Sequence, residues 1–212
     1  EEAVYNTLMV PVGGESMVTL ADGSKVWLNA DTRLRYPTHF TGDERRVELE
    51  GEAYFEVKPG SSPFIVHTSE GDVRVLGTCF NMKAYPDENQ QTTLVRGTVK
   101  VSLNQQQVVL SPGEQVTCVE HELKVEQVDI HPYIAWKNER FVFENEPLED
   151  VLKKLERWYN IDVFIQNVAL REMRFTGNLP KYEKIDKVLE LLALTTRVKF
   201  ELNKRILIVQ LE

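Results

Sequence analysis

The sequence predicts a mainly β protein with an all-β N-terminal part and a small α+β C-terminal part. Short segments of alternating apolar and polar residues, separated by Gly and Pro turns, follow one another before residue 140. After residue 147, apolar residues recur at helical spacing. Residues 1–132 carry 11 Lys and Arg against 20 Asp and Glu (net −9), whereas residues 133–212 carry 14 against 13 (net +1). We therefore expect two domains, 1–132 and 133–212.

The first element with a clear signal is a hairpin. Apolar residues alternate with polar ones on both sides of Asp22-Gly23, a dipeptide that favours tight turns between strands. The pattern predicts two antiparallel strands joined at this turn.

The segment 46–57 predicts the longest strand. One face is apolar, with Val47, Leu49, Ala53, Phe55 and Val57, and the other is charged, with Arg46, Glu48, Glu50, Glu52 and Glu56. Such alternation is typical of a sheet with one buried and one solvated face. Gly51 lies on the apolar face, which predicts a bulge or close packing there.

Further strands follow up to residue 127. The apolar positions change from odd (Val73, Val75) to even (Phe80, Met82) across Gly77, which predicts a bulge or a corner at that glycine. Many short strands with regular turns favour two sheets arranged as a solenoid or a sandwich.

The second part predicts the order β-α-β-β-α-β-β. Pro147 suits the first turn of a helix, with Asn145 as a candidate cap. Its apolar stripe is Leu148, Val151, Leu152, Leu155, Trp158 and Tyr159. The last two strands are expected to form a hairpin across Asn203-Lys204.

The sequence contains no pattern typical of catalysis or metal binding. The four histidines, His39, His67, His121 and His131, are not spaced as metal ligands, and alternating glutamates are expected on any solvated sheet face. Cys79 and Cys118 are expected to be buried and unbridged. We expect no catalytic, cofactor or metal site, and the net charge of the first part argues against nucleic acid as a partner.

Several segments, taken in order, resemble the FecR family. They are VTLADGSKVWLNADTRLRYP, VELEGEAYFEVKPGSSPFIVHT, VRVLGTCFNMKAY and TLVRGTVKVSL. The later segments FVFENEPLEDVLKKLERWYNIDV and RFTGNL resemble the C-terminal domain of FecR proteins from Bacteroidetes. The resemblance covers roughly residues 15–212, and the second part also resembles the short N-terminal domain of secretins and TonB-dependent receptors.

The resemblance implies an anti-sigma regulator. Such proteins hold an extracytoplasmic-function (ECF) sigma factor with a cytoplasmic segment, cross the inner membrane once and expose a periplasmic region. This chain, whose first residue is Glu1, is expected to be that periplasmic region, without the cytoplasmic segment. The implied partner is the N-terminal signalling domain of a TonB-dependent outer-membrane receptor, and no small-molecule substrate or enzymatic activity is implied.

We expect the receptor domain to dock on residues 133–212, mainly along an exposed strand edge. The predicted edge segments are Arg140–Glu144 and Ile206–Leu211, with Arg140, Phe141, Val142, Phe143, Ile206, Ile208 and Val209 as the partner-binding residues. Two alternatives stay open from the residues alone. Strands with exposed aromatic residues such as Trp27 would suit an extracellular carbohydrate-binding module, and the glutamate row would suit a lectin-like enzyme.

Overall fold

The chain folds into two compact units, the first ending at Ile134 and the second beginning at Ala135. The computed structural model describes residues 4–195 and 197–211. The strands of the first unit are β1 (Tyr5–Val10), β2 (Ser16–Thr19), β3 (Lys25–Leu28), β4 (Thr32–Pro37), β5 (Arg45–Glu56), β6 (Phe64–His67), β7 (Asp72–Val75), β8 (Cys79–Ala84), β9 (Gln91–Arg96), β10 (Val99–Leu103), β11 (Gln106–Leu110), β12 (Glu114–Val119) and β13 (Glu122–Gln127). A single helical turn, α1 (His131–Ile134), ends the unit.

These strands form two sheets that share β5. The first sheet has the order β11-β10-β7-β6-β5-β4-β1, and the second has the order β2-β3-β5-β8-β9-β12-β13. Between β6 and β13 the chain makes one hairpin in one sheet and the next hairpin in the other. This arrangement confirms the predicted double-sheet class, and no helix interrupts residues 15–130.

The shared strand changes sheets at Gly51. Residues before Gly51 pair with β4 and β6, and Gly51 and the residues after it pair with β3 and β8. Gly51 has φ +112°, and a Cβ at this position would lie 2.7 Å from the Thr32 Cα. Only glycine adopts this conformation without strain or overlap, so the predicted close packing is confirmed.

The corner predicted at Gly77 is also confirmed. β7 ends at Val75 in the first sheet and β8 begins at Cys79 in the second, so the chain crosses between the sheets around this glycine. Because each sheet turns a different set of residues inward, the crossing explains why the apolar phase shifts there.

The core of the first unit lies between the two sheets. Val47, Leu49, Phe55 and Val57 are buried as predicted. The Phe55 ring stacks on Phe80 with centroids 5.0 Å apart and meets Phe64 edge-on at 6.2 Å. Phe64 and Phe80 belong to different sheets, so these aromatic contacts join the two layers.

The second unit has the predicted order β-α-β-β-α-β-β. Its elements are β14 (Arg140–Pro147), α2 (Leu148–Tyr159), β15 (Asp162–Ile165), β16 (Arg174–Pro180), α3 (Ile185–Thr195), β17 (Val198–Asn203) and β18 (Ile206–Leu211), with 3-10 turns at Ala135–Asn138 and Val168–Leu170. The strands form two small sheets, β14-β16 and β15-β18-β17, and the expected β17–β18 hairpin is present.

Helix α2 buries four of the six predicted stripe residues, and the other two, Trp158 and Tyr159, are half-buried against the same core. Leu148, Val151, Leu152 and Leu155 are at most 1% exposed and belong to the core of the second unit. Pro147 precedes the first helical residue, but Asn145 does not cap the helix, because it lies in a bulge of β14 with φ +47°. Instead, the Leu148 amide donates to the Met173 carbonyl at 2.7 Å, which satisfies a free N–H of the first turn.

Candidate protein-binding site

The described residues contain no group of three or more His, Cys, Asp and Glu side chains placed to hold a metal ion. A hydrogen bond of 2.7 Å joins His67 Nδ1 to Asp72 Oδ1. His121 Nδ1 lies 3.5 Å from Glu70 Oε2. The pKa of Asp72 is lowered, since hydrogen bonds from His67 and Arg46 outweigh the opposing effect of partial burial. These contacts join exposed and half-buried side chains at the surface of the first unit.

Two glutamates of the β5 row, Glu48 and Glu52, bond to neighbouring side chains. Glu48 forms an ion pair with Arg35 at 2.5 Å, and both side chains are more than 40% exposed. The Glu52 carboxylate accepts hydrogen bonds from the side-chain amides of Asn29 and Asn81 at 2.8 and 2.9 Å. The carboxylates of Glu48 and Glu52 therefore take part in contacts within the first unit.

Both cysteines are free and buried. Burial raises the pKa of the Cys118 thiol, and a hydrogen bond from its Sγ to Glu70 raises it further. A thiol held protonated in this way is a poor nucleophile. Cys79 accepts a hydrogen bond from Arg96 at 3.4 Å.

Strand β14 contains the first of the two predicted binding segments. It pairs with β16 on one side only, and no strand in the described part of the chain pairs with its other side. The side chains of Phe141 and Phe143 are buried in the core, whereas those of Arg140 and Val142 are half-buried. Arg140 donates to the Asn178 side chain at 2.7 Å. The two phenylalanines are therefore core residues rather than surface anchors.

The hydrogen-bond phase of β14 shows which main-chain groups face its open side. The Lys181 amide donates to the Glu139 carbonyl, so Glu139 bonds to the β16 side. Phe141 and Phe143, two and four residues further on, face the same side. The N–H and C=O groups of Arg140 and Val142 therefore point to the open edge.

The second predicted segment, Ile206–Leu211, is not a free edge, and that prediction is wrong. It forms β18, the central strand of its sheet, paired in parallel with β15 and antiparallel with β17. Hydrophobic alternation identified the strand but could not show that β15, distant in sequence, inserts beside it. Val209 is fully buried, whereas Ile206 is 46% exposed.

The outer face of this sheet carries an exposed apolar patch that the sequence prediction missed in part. Phe164 of β15 is 57% exposed and lies in register with Ile208 of β18, and Ile206 is on the same face. The signal was available, because Val163, Phe164 and Ile165 place apolar residues on both faces of β15. We refer to Phe164, Ile206 and Ile208 as the outer patch.

The edge of β15 is partly closed by a side chain. The Glu156 carboxylate, from α2, accepts a hydrogen bond from the Val163 amide at 3.0 Å. That amide faces away from β18, because Asp162 and Gln166 donate to the β18 side. A charged side chain on an edge amide is a means of preventing strand addition. β14 and β17 are thus edges without this obstruction.

Comparison with known proteins gives matches over both units. The family model described as FecR protein matches residues 6–100, and the model described as FecR, C-terminal matches residues 140–209. No curated protein matches the chain.

Two crystal structures, at 1.65 and 2.50 Å resolution, show a proposed anti-sigma factor from Parabacteroides distasonis ATCC 8503. Each is 31% identical to this chain with a TM-score of 0.91. The alignments cover 98% and 99% of this chain and 99% and 100% of those chains. No helix in the described residues is both long and apolar enough to cross a membrane.

Proposed function

Because the chain belongs to the FecR family of anti-sigma regulators, we propose that it is the periplasmic relay region of a membrane-anchored member. In this proposal it receives a signal from the N-terminal signalling domain of a TonB-dependent outer-membrane receptor. A cytoplasmic segment outside this chain then controls an ECF sigma factor. The relay works by protein binding and not by catalysis. The observation that carries the proposal is the match to the family over both units, supported by a full-length structural match to a proposed anti-sigma factor.

We place the receptor-binding surface on the second unit, along the open edge of β14. The N–H and C=O groups of Arg140 and Val142 face this edge, and an added strand would bond to them without disturbing the β14–β16 ladder. Main-chain pairing tolerates variation in side chains, which suits recognition of related receptor domains. Ile206 and Ile208 of the outer patch are a second candidate contact through their side chains.

Titration calorimetry with the receptor's signalling domain tests this placement. Val142→Pro removes an amide donor that faces the open edge and bonds to no strand of the described residues, so it should weaken binding about tenfold while the fold is retained. The matched control Val142→Ala shortens the same side chain but keeps the donor, and it should bind as the wild type does. Equal affinities of the proline and alanine variants would exclude the β14 edge.

A separate substitution tests the outer patch as the binding surface. Ile206→Ser reduces the exposed apolar area of this patch and leaves the β14 edge intact. Loss of receptor binding in this variant, with Val142→Pro unaffected, would move the binding surface to the outer patch. Absence of receptor binding by the wild-type chain would contradict the proposed function itself.

A further inference from the structure

A further open edge of the second unit is that of β17, with the sequence Val-Lys-Phe-Glu-Leu over residues 198–202. This strand pairs with β18 on one side, and no strand in the described residues pairs with its other side. Among the described residues, no acidic side chain accepts a hydrogen bond from an amide of β17, in contrast to the Val163 amide of β15. The edge is therefore available for an added strand.

The hydrogen bonds of β18 fix which groups of β17 face outward. The carbonyls of Arg205 and Val209 accept from β15, at 2.7 and 3.0 Å, so the odd-numbered residues of β18 bond to β15. The even-numbered ones, Ile206 and Ile208, bond to their β17 partners Asn203 and Glu201. It follows that the N–H and C=O groups of residues 198, 200 and 202 point to the open edge.

The side chains of this strand alternate in charge and polarity. Lys199 and Glu201 lie on the outer face, with side chains 55% and 48% exposed and 2.5 Å apart. On the opposite face Val198 is buried, and Phe200 and Leu202 are half-buried against the core of the second unit. An opposite-charge pair thus flanks Phe200, a residue whose main chain faces outward.

We propose that two copies of this chain pair antiparallel along β17 about a two-fold axis at Phe200. Phe200 then lies opposite Phe200 of the second copy, and the outward main-chain groups of both strands bond to each other. Lys199 of each copy lies opposite Glu201 of the other on the outer face, and Val198 lies opposite Leu202 on the apolar face. The two three-stranded sheets become one six-stranded sheet with an isologous interface.

The charges of Lys199 and Glu201 favour this register over the two registers in which the two-fold axis is shifted by one residue. Moving the axis by one residue towards the C-terminus places Glu201 opposite Glu201, and moving it the other way places Lys199 opposite Lys199. Both arrangements put like charges directly opposite each other, which destabilises a strand pair. All three registers pair outward-facing main-chain groups with each other, but only the register centred on Phe200 places opposite charges against each other, and it does so twice.

The size of the contact predicts how strong the pairing is. Five residues from each copy make a small interface, and small interfaces support weak association. The dimer should therefore form reversibly and depend on protein concentration.

Sedimentation velocity over a wide concentration range tests the proposal on the whole chain. The wild type should convert from monomer to dimer as concentration rises. Lys199→Glu and Glu201→Lys each place like charges opposite at two points, so each should raise the dimer Kd about tenfold. The double variant K199E/E201K restores opposite charges and should recover the wild-type Kd. Lys100→Glu, the same charge change on the first unit, should leave the Kd unchanged.

Three results would overturn the proposal. The first is a wild type that stays monomeric at the highest concentration. In that case the β17 edge would be open to a strand from another protein and not to a second copy. The second is single variants that dimerise like the wild type, and the third is a double variant as weak as the singles. Circular dichroism and unfolding midpoints check that the variants, which change exposed or half-buried side chains, remain folded.

Discussion

Arg45 holds together several loops of the first unit through one buried ion pair. Its guanidinium lies 2.7 Å from the Asp22 carboxylate, and their side chains are 8% and 14% exposed. The same side chain donates to the carbonyls of Lys58 and Ser62 at 2.9 and 3.0 Å. Asp22 also accepts from the Ser24 amide and hydroxyl. The Asp22-Gly23 turn predicted from sequence therefore has a second role, as the partner of a buried cation.

Replacing Asp22 with Asn should destabilise the protein strongly. The substitution leaves the Arg45 charge buried without its counter-ion, and removing one partner of a buried pair costs about 3–5 kcal/mol. The matched control is Glu48→Gln, which removes the exposed Glu48–Arg35 pair and should cost about 1 kcal/mol or less. Urea unfolding followed by circular dichroism measures both. An Asp22 variant no less stable than the Glu48 variant would show that the buried pair is not needed.

The stability of strand β5 depends on Gly51, the residue at which the strand changes sheets. A side chain at Gly51 would meet the Thr32 Cα and Cβ at 2.7 and 2.8 Å, besides the strain of φ +112°. Gly42 has a similar φ of +101°, but nothing lies within 4 Å of an added Cβ. The two glycines therefore separate the cost of backbone strain from that of steric overlap.

Gly51→Ala is expected to lower the free energy of unfolding by about 3 kcal/mol or more, since strain and overlap add. Gly42→Ala carries the strain alone and should cost about 1 kcal/mol. The difference between the two unfolding free energies, from urea titrations of both variants, isolates the packing at the crossing. Equal values would mean that β5 changes sheets without close contact to β4.

The residues that form each strand or helix could be predicted from the sequence better than the pairing of strands distant in sequence. The alternation in β5 and the helical stripe of α2 follow from local sequence, because one face of each element must be buried. The β17–β18 hairpin is also local. The parallel pairing of β15 with β18 joins residues more than 40 positions apart, and no pattern within either strand records it. For that reason the predicted edge at Ile206–Leu211 was wrong, whereas the segment at Arg140–Glu144 does lie on an open strand.

Both units of the molecule expose groups that a protein partner could contact. The core of the first unit lies between two sheets, and its charged face contains ion pairs such as Arg35–Glu48 and Arg46–Asp72. Its surface also includes edge strands and exposed apolar side chains such as Met9 and Val109. The second unit has open strands at β14 and β17 and an exposed apolar patch around Phe164. Unpaired edges and exposed apolar groups are typical of protein-binding surfaces. In the proposed function, the open β14 edge and the outer patch make the second unit the receiver of the signal.

In the proposed function, this chain relays a receptor signal by binding at the second unit. Hydrogen–deuterium exchange of the whole chain, with and without the receptor's signalling domain, measures this binding amide by amide. We expect new protection at the amides of Arg140 and Val142, because an added strand would accept hydrogen bonds from them, and no change along Glu48–Glu52. Protection confined to residues 4–134, or no change anywhere at saturating receptor domain, would contradict the account.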